Sequence, residues 1–92
     1  MASNKIPAAE NLLKVGLATS LAGEKKYDEA IQIFDEIAAS DEESRTSALY
    51  EKALLLVKVG KTEEAKKVFH KIIEDDPKTP HKSDVERRLA SL

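Results

Sequence analysis

The feature that most constrains this 92-residue chain is that it repeats itself. At a constant offset of 35 residues, the segment Lys26–Ile37 falls on Lys61–Ile72. Lys26/Lys61, Glu29/Glu64, Ala30/Ala65, Phe34/Phe69 and Ile37/Ile72 are identical, and Asp28/Glu63 and Ile33/Val68 are conservative. The same offset carried upstream pairs Ala18 with Ala53 and Leu21 with Leu56. A period of this length is the mark of one supersecondary unit used more than once. Each unit hides its apolar face by stacking on the next.

The local pattern says what that unit is. Pro7 suits a first helical position, and from Ala8 to about Ala22 the residues Leu13, Leu17 and Leu21 recur every four with Ala18 beside them, predicting a helix face that Gly23 ends. A second helix is predicted over Tyr27 to about Ala39, with Asp28 and Glu29 at the positive end of its dipole and Ala30, Phe34 and Ile37 as its stripe. Ser40 followed by Glu43 reads as a capping box opening a third helix near Asp41, which runs to Val59 and stops at Gly60. A fourth spans about Thr62–Asp75, striped by Ala65, Phe69 and Ile72, and Pro77 breaks the chain after it. Thr79-Pro80 then starts a short fifth helix as cap and first residue, with Val85, Leu89 and Leu92 on one side and Glu86, Arg87 and Arg88 wet. No strand pattern competes. The fold class is all-α, five helices arranged as antiparallel helix-turn-helix repeats.

These residues resemble the tetratricopeptide repeat (TPR) over about Ala9–Pro77, with the last helix similar to that family's C-terminal capping helix. The resemblance implies a single domain over residues 1–92: one repeat at about 9–42, a second at about 43–77 and a cap at about 80–92. Ala18, Ala53, Ala30 and Ala65 stand where paired helices approach closely, and Phe34 and Phe69 where a large side chain wedges against the next helix. Three positions depart from the pattern. Lys14 and Lys52 stand where large apolar residues are usual, and Lys25 where the turn glycine is common, so the loop Gly23–Lys26 is expected to be longer or shifted. The competing reading is a generic five-helix bundle without repeat stacking.

The resemblance also implies that function lies on a concave face lined by the first helix of each unit. It places Leu12, Val15, Thr19 and Ala22 there from the first helix, and Ser47, Tyr50, Leu54 and Val57 from the third. Independently, Ala53-Leu-Leu-Leu-Val57 is apolar on more than one side, so if Ala53 and Leu56 pack inward then Leu54 and Val57 point elsewhere. An exposed apolar strip marks a contact surface. TPRs that grip a C-terminal carboxylate use Lys, Arg and Asn along this face. The residues here are Val15, Thr19, Tyr50 and Leu54. The expected occupant is therefore an apolar or amphipathic peptide or helix of a protein partner, with Tyr50 as an aromatic anchor. Two alternatives stand beside it: a homodimer that buries the apolar face against another copy, since two repeats are few for a stable stack, and cover of Leu54 and Val57 by Met1–Ile6 or the capping helix.

Composition removes other classes of function. With no Cys there is no disulfide, thiolate metal site or cysteine nucleophile. Fifteen basic against seventeen acidic residues give a net charge of −2, which favours neither nucleic acid nor an acidic membrane. Lys58, Lys61, Lys66, Lys67 and Lys71 form no nucleic-acid patch, because Glu63, Glu64 and Glu74 interleave them without an aromatic platform. Glu63–Lys67 instead reads as an i, i+4 pair. A metal site from His70, Asp75 and His81 lacks ligand spacing, and there is no G-x-S-x-G or Gly-rich phosphate loop. No catalytic residue, metal or cofactor is expected. Neither a signal peptide nor a spanning segment is visible, since the run Ala53–Val57 is far short of the ~20 residues a membrane helix needs. The expected location is cytoplasmic, or periplasmic or membrane-tethered if the chain is part of a longer anchored one.

Overall fold

The computed structural model describes residues 8–40 and 42–92, and the side chains of all of these except Ala8–Leu12 and Glu43. Five helices follow in order: α1 (Ala8–Gly23), α2 (Tyr27–Ser40), α3 (Glu42–Lys58), α4 (Thr62–Asp75) and α5 (Lys82–Ser91). No strand occurs among the described residues. Packing follows chain order, with α1 on α2, α2 on α3, α3 on α4 and α4 on α5.

The repeat is visible in the core. Ala18, Ala30, Ala53 and Ala65 are wholly buried, two in each unit, as their size at closely approaching helices requires. Phe34, Ile37, Ala38 and Ala48 join Ala18 and Ala30 in one apolar cluster. Phe69, Ile72, Leu56 and Val85 join Ala53 and Ala65 in the other. Side chains so enclosed feel any change of volume, so enlarging one of the alanines would cost about 1–3 kcal/mol.

The two turns inside the units are the same turn. After α3, Lys61 N–H donates to Leu56 O at 2.8 Å and Gly60 N–H to Val57 O at 3.1 Å, with Gly60 at φ 88°. That is the Schellman arrangement, in which a left-handed residue lets the chain cover the last free carbonyls. After α1, Lys26 N–H donates to Leu21 O at 2.8 Å and Lys25 N–H to Ala22 O at 3.0 Å, with Lys25 at φ 65°. The expectation of a longer or shifted loop at Gly23–Lys26 is thus corrected. The turn keeps its length and register, and Lys25 takes the backbone conformation that Gly60 takes 35 residues later.

Other local expectations also change. Leu13 and Leu17 are exposed, whereas Ala18, Leu21 and Ala22 pack toward α2. The four-residue spacing followed a face of α1, but the buried face is the adjacent one. Ser40 does not act as a capping-box residue: it ends α2, and its hydroxyl donates back to Glu36 O at 2.8 Å. Asp41, where α3 was expected to open, lies outside the described residues, as does the Glu43 side chain. Thr79 is buried, and its hydroxyl accepts the His81 N–H at 3.2 Å, as a cap should, although α5 itself begins at Lys82. Glu63 pairs with Lys66 at 3.5 Å and not with Lys67.

Candidate functional site: the α1–α3–α5 face

Lys14 and Lys52, the two lysines out of pattern, reach α2 from either side. Lys14 Nζ lies 3.2 Å from Glu36 Oε1 and Lys52 Nζ 2.7 Å from Asp35 Oδ1. Their alkyl stems take the space of an apolar residue while the ammonium groups stay near solvent. Arg45 adds a third tie, its Nε–H donating to Ala38 O at 2.9 Å. Together these contacts hold α1 and α3 on the same helix and so bring the first helices of the two units side by side.

The residues expected to line that face fall into three groups. Val15 is exposed and lines a small hollow of about 100 Å³ with Phe34, Ile37, Ser47, Ala48 and Glu51, where α1, α2 and α3 meet. Thr19 is exposed, but its hydroxyl donates to Val15 O at 2.8 Å, spending its polarity within α1. The Leu12 side chain lies outside the described residues. Ala22 is half-buried against the α1–α2 cluster, and Ser47 is exposed.

On α3, Tyr50, Leu54 and Val57 are each half-buried and pack on the second cluster, with Leu89 and Leu92 of α5 beside it. Of the three, Tyr50 and Val57 stand directly beside residues of α5. Tyr50 is enclosed by rings and charge. His81 stacks on it with centroids 4.6 Å apart and planes 15° from parallel, and Phe69 meets it edge-on at 6.2 Å. The Arg88 guanidinium sits 5.9 Å from the Tyr50 ring centre. The Arg88 Nε–H is shared between Asp84 Oδ2 at 3.1 Å and Tyr50 Oη at 3.3 Å. Stacking and cation–π contact of this kind rigidify a ring and occupy its faces. Tyr50 thus clamps α5 to α3.

Val57 is different. With Leu92 it forms the apolar part of an open cavity of about 360 Å³ between α3 and α5, bordered by Asp84, Arg87, Arg88 and Ser91. Asp84 is already paired to Arg88, whereas Arg87 is exposed. The cavity thus offers two aliphatic side chains beside an arginine on an open helix face. The sequence pattern of the last helix puts Arg87 and Arg88 on its wet side. Only the packing of α5 on α4 brings them alongside Val57.

Neither histidine gathers acids around it. Asp75 pairs with Lys71 at 3.2 Å, His81 is taken by Tyr50, and no group of three metal-ligating side chains occurs among the described residues. No described helix is long and apolar enough to cross a membrane.

Sequential helix packing, paired small residues in each unit and one repeated turn geometry define an α-helical repeat module, a class that works by presenting a surface. The family model for the tetratricopeptide repeat matches residues 21–89, most of the chain, and the chain belongs to that family. Comparison with curated proteins and with solved structures returned no match. TPR repeats in general mediate protein–protein interaction and are typically non-enzymatic scaffolds.

Proposed function

We propose that this chain is a non-enzymatic adaptor that holds a protein segment on the face built by α1, α3 and α5. The observation that carries the reading is the cavity between α3 and α5, where Val57 and Leu92 lie beside exposed Arg87. An apolar side chain seated on the two aliphatic residues, with an acidic neighbour reaching Arg87, satisfies both halves of that lining. An amphipathic helix or short peptide carries such a pair at adjacent positions or one turn apart. Val15 and Thr19 are the exposed α1 positions that the family resemblance assigns to this face, and Leu54 packs on the second core cluster.

A displayed peptide library selected on the immobilised protein tests this. The selected peptides should share an apolar residue next to an acidic one, and bind Val57→Asp and Arg87→Glu at least tenfold more weakly than the parent. Equal affinity for the parent and both variants would sink the proposal. Val57 is a better probe than Leu54, because it lines the open cavity as well as packing on the core.

A further inference from the structure

A hollow lies on either flank of α3, and the uncompensated charges beside the two are of opposite sign. Toward α5 is the cavity of Val57 and Leu92, bordered by Arg87. Toward α1 is the hollow of about 100 Å³ lined by Val15, Phe34 and Ile37, with Glu51 beside them. Glu51 and Arg87 are both exposed, and neither joins an ion pair among the described residues. Charges on the same helices that could neutralise them are occupied. Lys14 of α1 and Lys52 of α3 are held by Glu36 and Asp35 of α2, and Asp84 of α5 is held by Arg88.

Helix geometry relates the two hollows. Ala48, Ala53 and Leu56 are buried and fix which side of α3 faces the protein. Val57 follows Glu51 by six residues, which is about 9 Å along the axis and about 120° around it, so the two stand on opposite flanks of the open side. With a helix about 10 Å across, the two seats lie roughly 13 Å apart, the span of about four extended residues. Exposed Ser47 and Lys58 point outward between those flanks. Lys58, also without an ion pair among the described residues, adds a second cation at the Val57 end. The open side of α3 is therefore charged in order, negative at Glu51 and positive at Lys58 and Arg87.

Resting on the reading of the α3–α5 cavity given above, we propose that this face takes a partner segment carrying two opposite charges in a fixed order. An acidic residue lies beside the apolar anchor in the α3–α5 cavity. About four extended residues away, a basic residue lies beside a short aliphatic one in the α1–α3 hollow. Exposed pairs of this kind add little affinity, but like charges set opposite each other are penalised, so the two ends together choose the direction of the segment. Laid the other way, it would bring its acid to Glu51 and its base to Arg87. Size acts in the same sense, because a hollow of about 100 Å³ is too small for the side chain that fills a cavity of about 360 Å³.

The probe is the tightest dodecapeptide selected from a displayed random library on the immobilised full chain, made synthetically and titrated by calorimetry. It should carry an acid and a base separated by about four residues of extended chain. Glu51→Lys should weaken its binding roughly fivefold or more with the circular dichroism unchanged, and Glu51→Gln by less. Exchanging the peptide's base for glutamate should restore binding to Glu51→Lys and weaken binding to the parent. That rescue separates a charge contact from a loss of structure. Three results overturn the proposal: a selected peptide without a base; a loss in Glu51→Lys that the exchanged peptide does not rescue; or binding that falls in Val57→Asp and Arg87→Glu but is indifferent to Glu51→Lys. The last would leave the cavity reading standing alone. Binding indifferent to all three variants, or no peptide selected, would overturn both.

Discussion

Replacing Lys25 by glycine should stabilise the protein, although it removes a side chain. Lys25 sits at φ 65°, where a residue with a Cβ is disfavoured by about 1–2 kcal/mol. Glycine relieves that strain, but its freer unfolded chain takes back about 0.4–1 kcal/mol. The net gain for Lys25→Gly is about 0.5–1 kcal/mol. For a domain of this size, roughly 4–8 °C per kcal/mol places the rise in Tm at about 2–8 °C. Gly60 supplies the reciprocal measurement. A Cβ built on Gly60 meets no atom within 4 Å, so Gly60→Ala pays for backbone conformation alone and should lose about 0.5–1.5 kcal/mol. Lys25→Ala keeps the Cβ while dropping the charge, and should stay within about 0.5 kcal/mol of the parent. Thermal and urea unfolding followed at 222 nm read all three. Refutation would be a Lys25→Gly protein no more stable than Lys25→Ala, since the two turns would then not share one energetic constraint.

Three further outcomes follow from the packing. Phe69→Ala should cost about 3–5 kcal/mol in urea unfolding, because the ring is wholly enclosed by α3, α4 and α5. Ala53→Leu should cost about 1–3 kcal/mol by overfilling a site with no exposed surface, whereas the same change at exposed Ala90 should be near neutral. Lys52→Ala should cost less than about 1 kcal/mol in low salt, and most of that difference should vanish at 1 M sodium chloride, because Asp35 is half exposed.

The scaffold was legible in the sequence wherever a single residue type answers a packing demand. Alanine at 18, 30, 53 and 65 and phenylalanine at 34 and 69 are required by close helix approach, and the structure buries all six. Helix order and most boundaries followed from the same periodicity. The misreadings arose where two residues can meet one demand. A lysine can hold a left-handed turn at some cost in strain, so the departure at Lys25 looked like a change of loop length. Ser40 can cap the next helix or close its own, and it does the second. Leu13 and Leu17 were periodic, but periodicity reports that a face exists and not that this chain covers it. The candidate face was legible only as a set of positions. That Tyr50 is spent on His81 and Arg88, leaving Val57 and Arg87 at the open cavity, depends on α5 docking 30 or more residues away in sequence.

Packing that runs mainly between helices consecutive in the chain has a kinetic consequence. Most of the contact surface joins neighbouring segments, so loop-closure entropy is small and folding should fall toward the fast end for domains of this size. The same topology provides no lock. α1 packs mainly on α2, and α5 on α4 with a clamp from Tyr50 of α3, so α5 can fray without disturbing the α1–α2 pair. Native-state hydrogen exchange should therefore be graded along the chain, slowest in α2 and α3 and fastest at the ends. The cavity beside Val57 has the fraying helix as one wall, so its width is a thermal average, and a ligand seated there would slow exchange throughout α5.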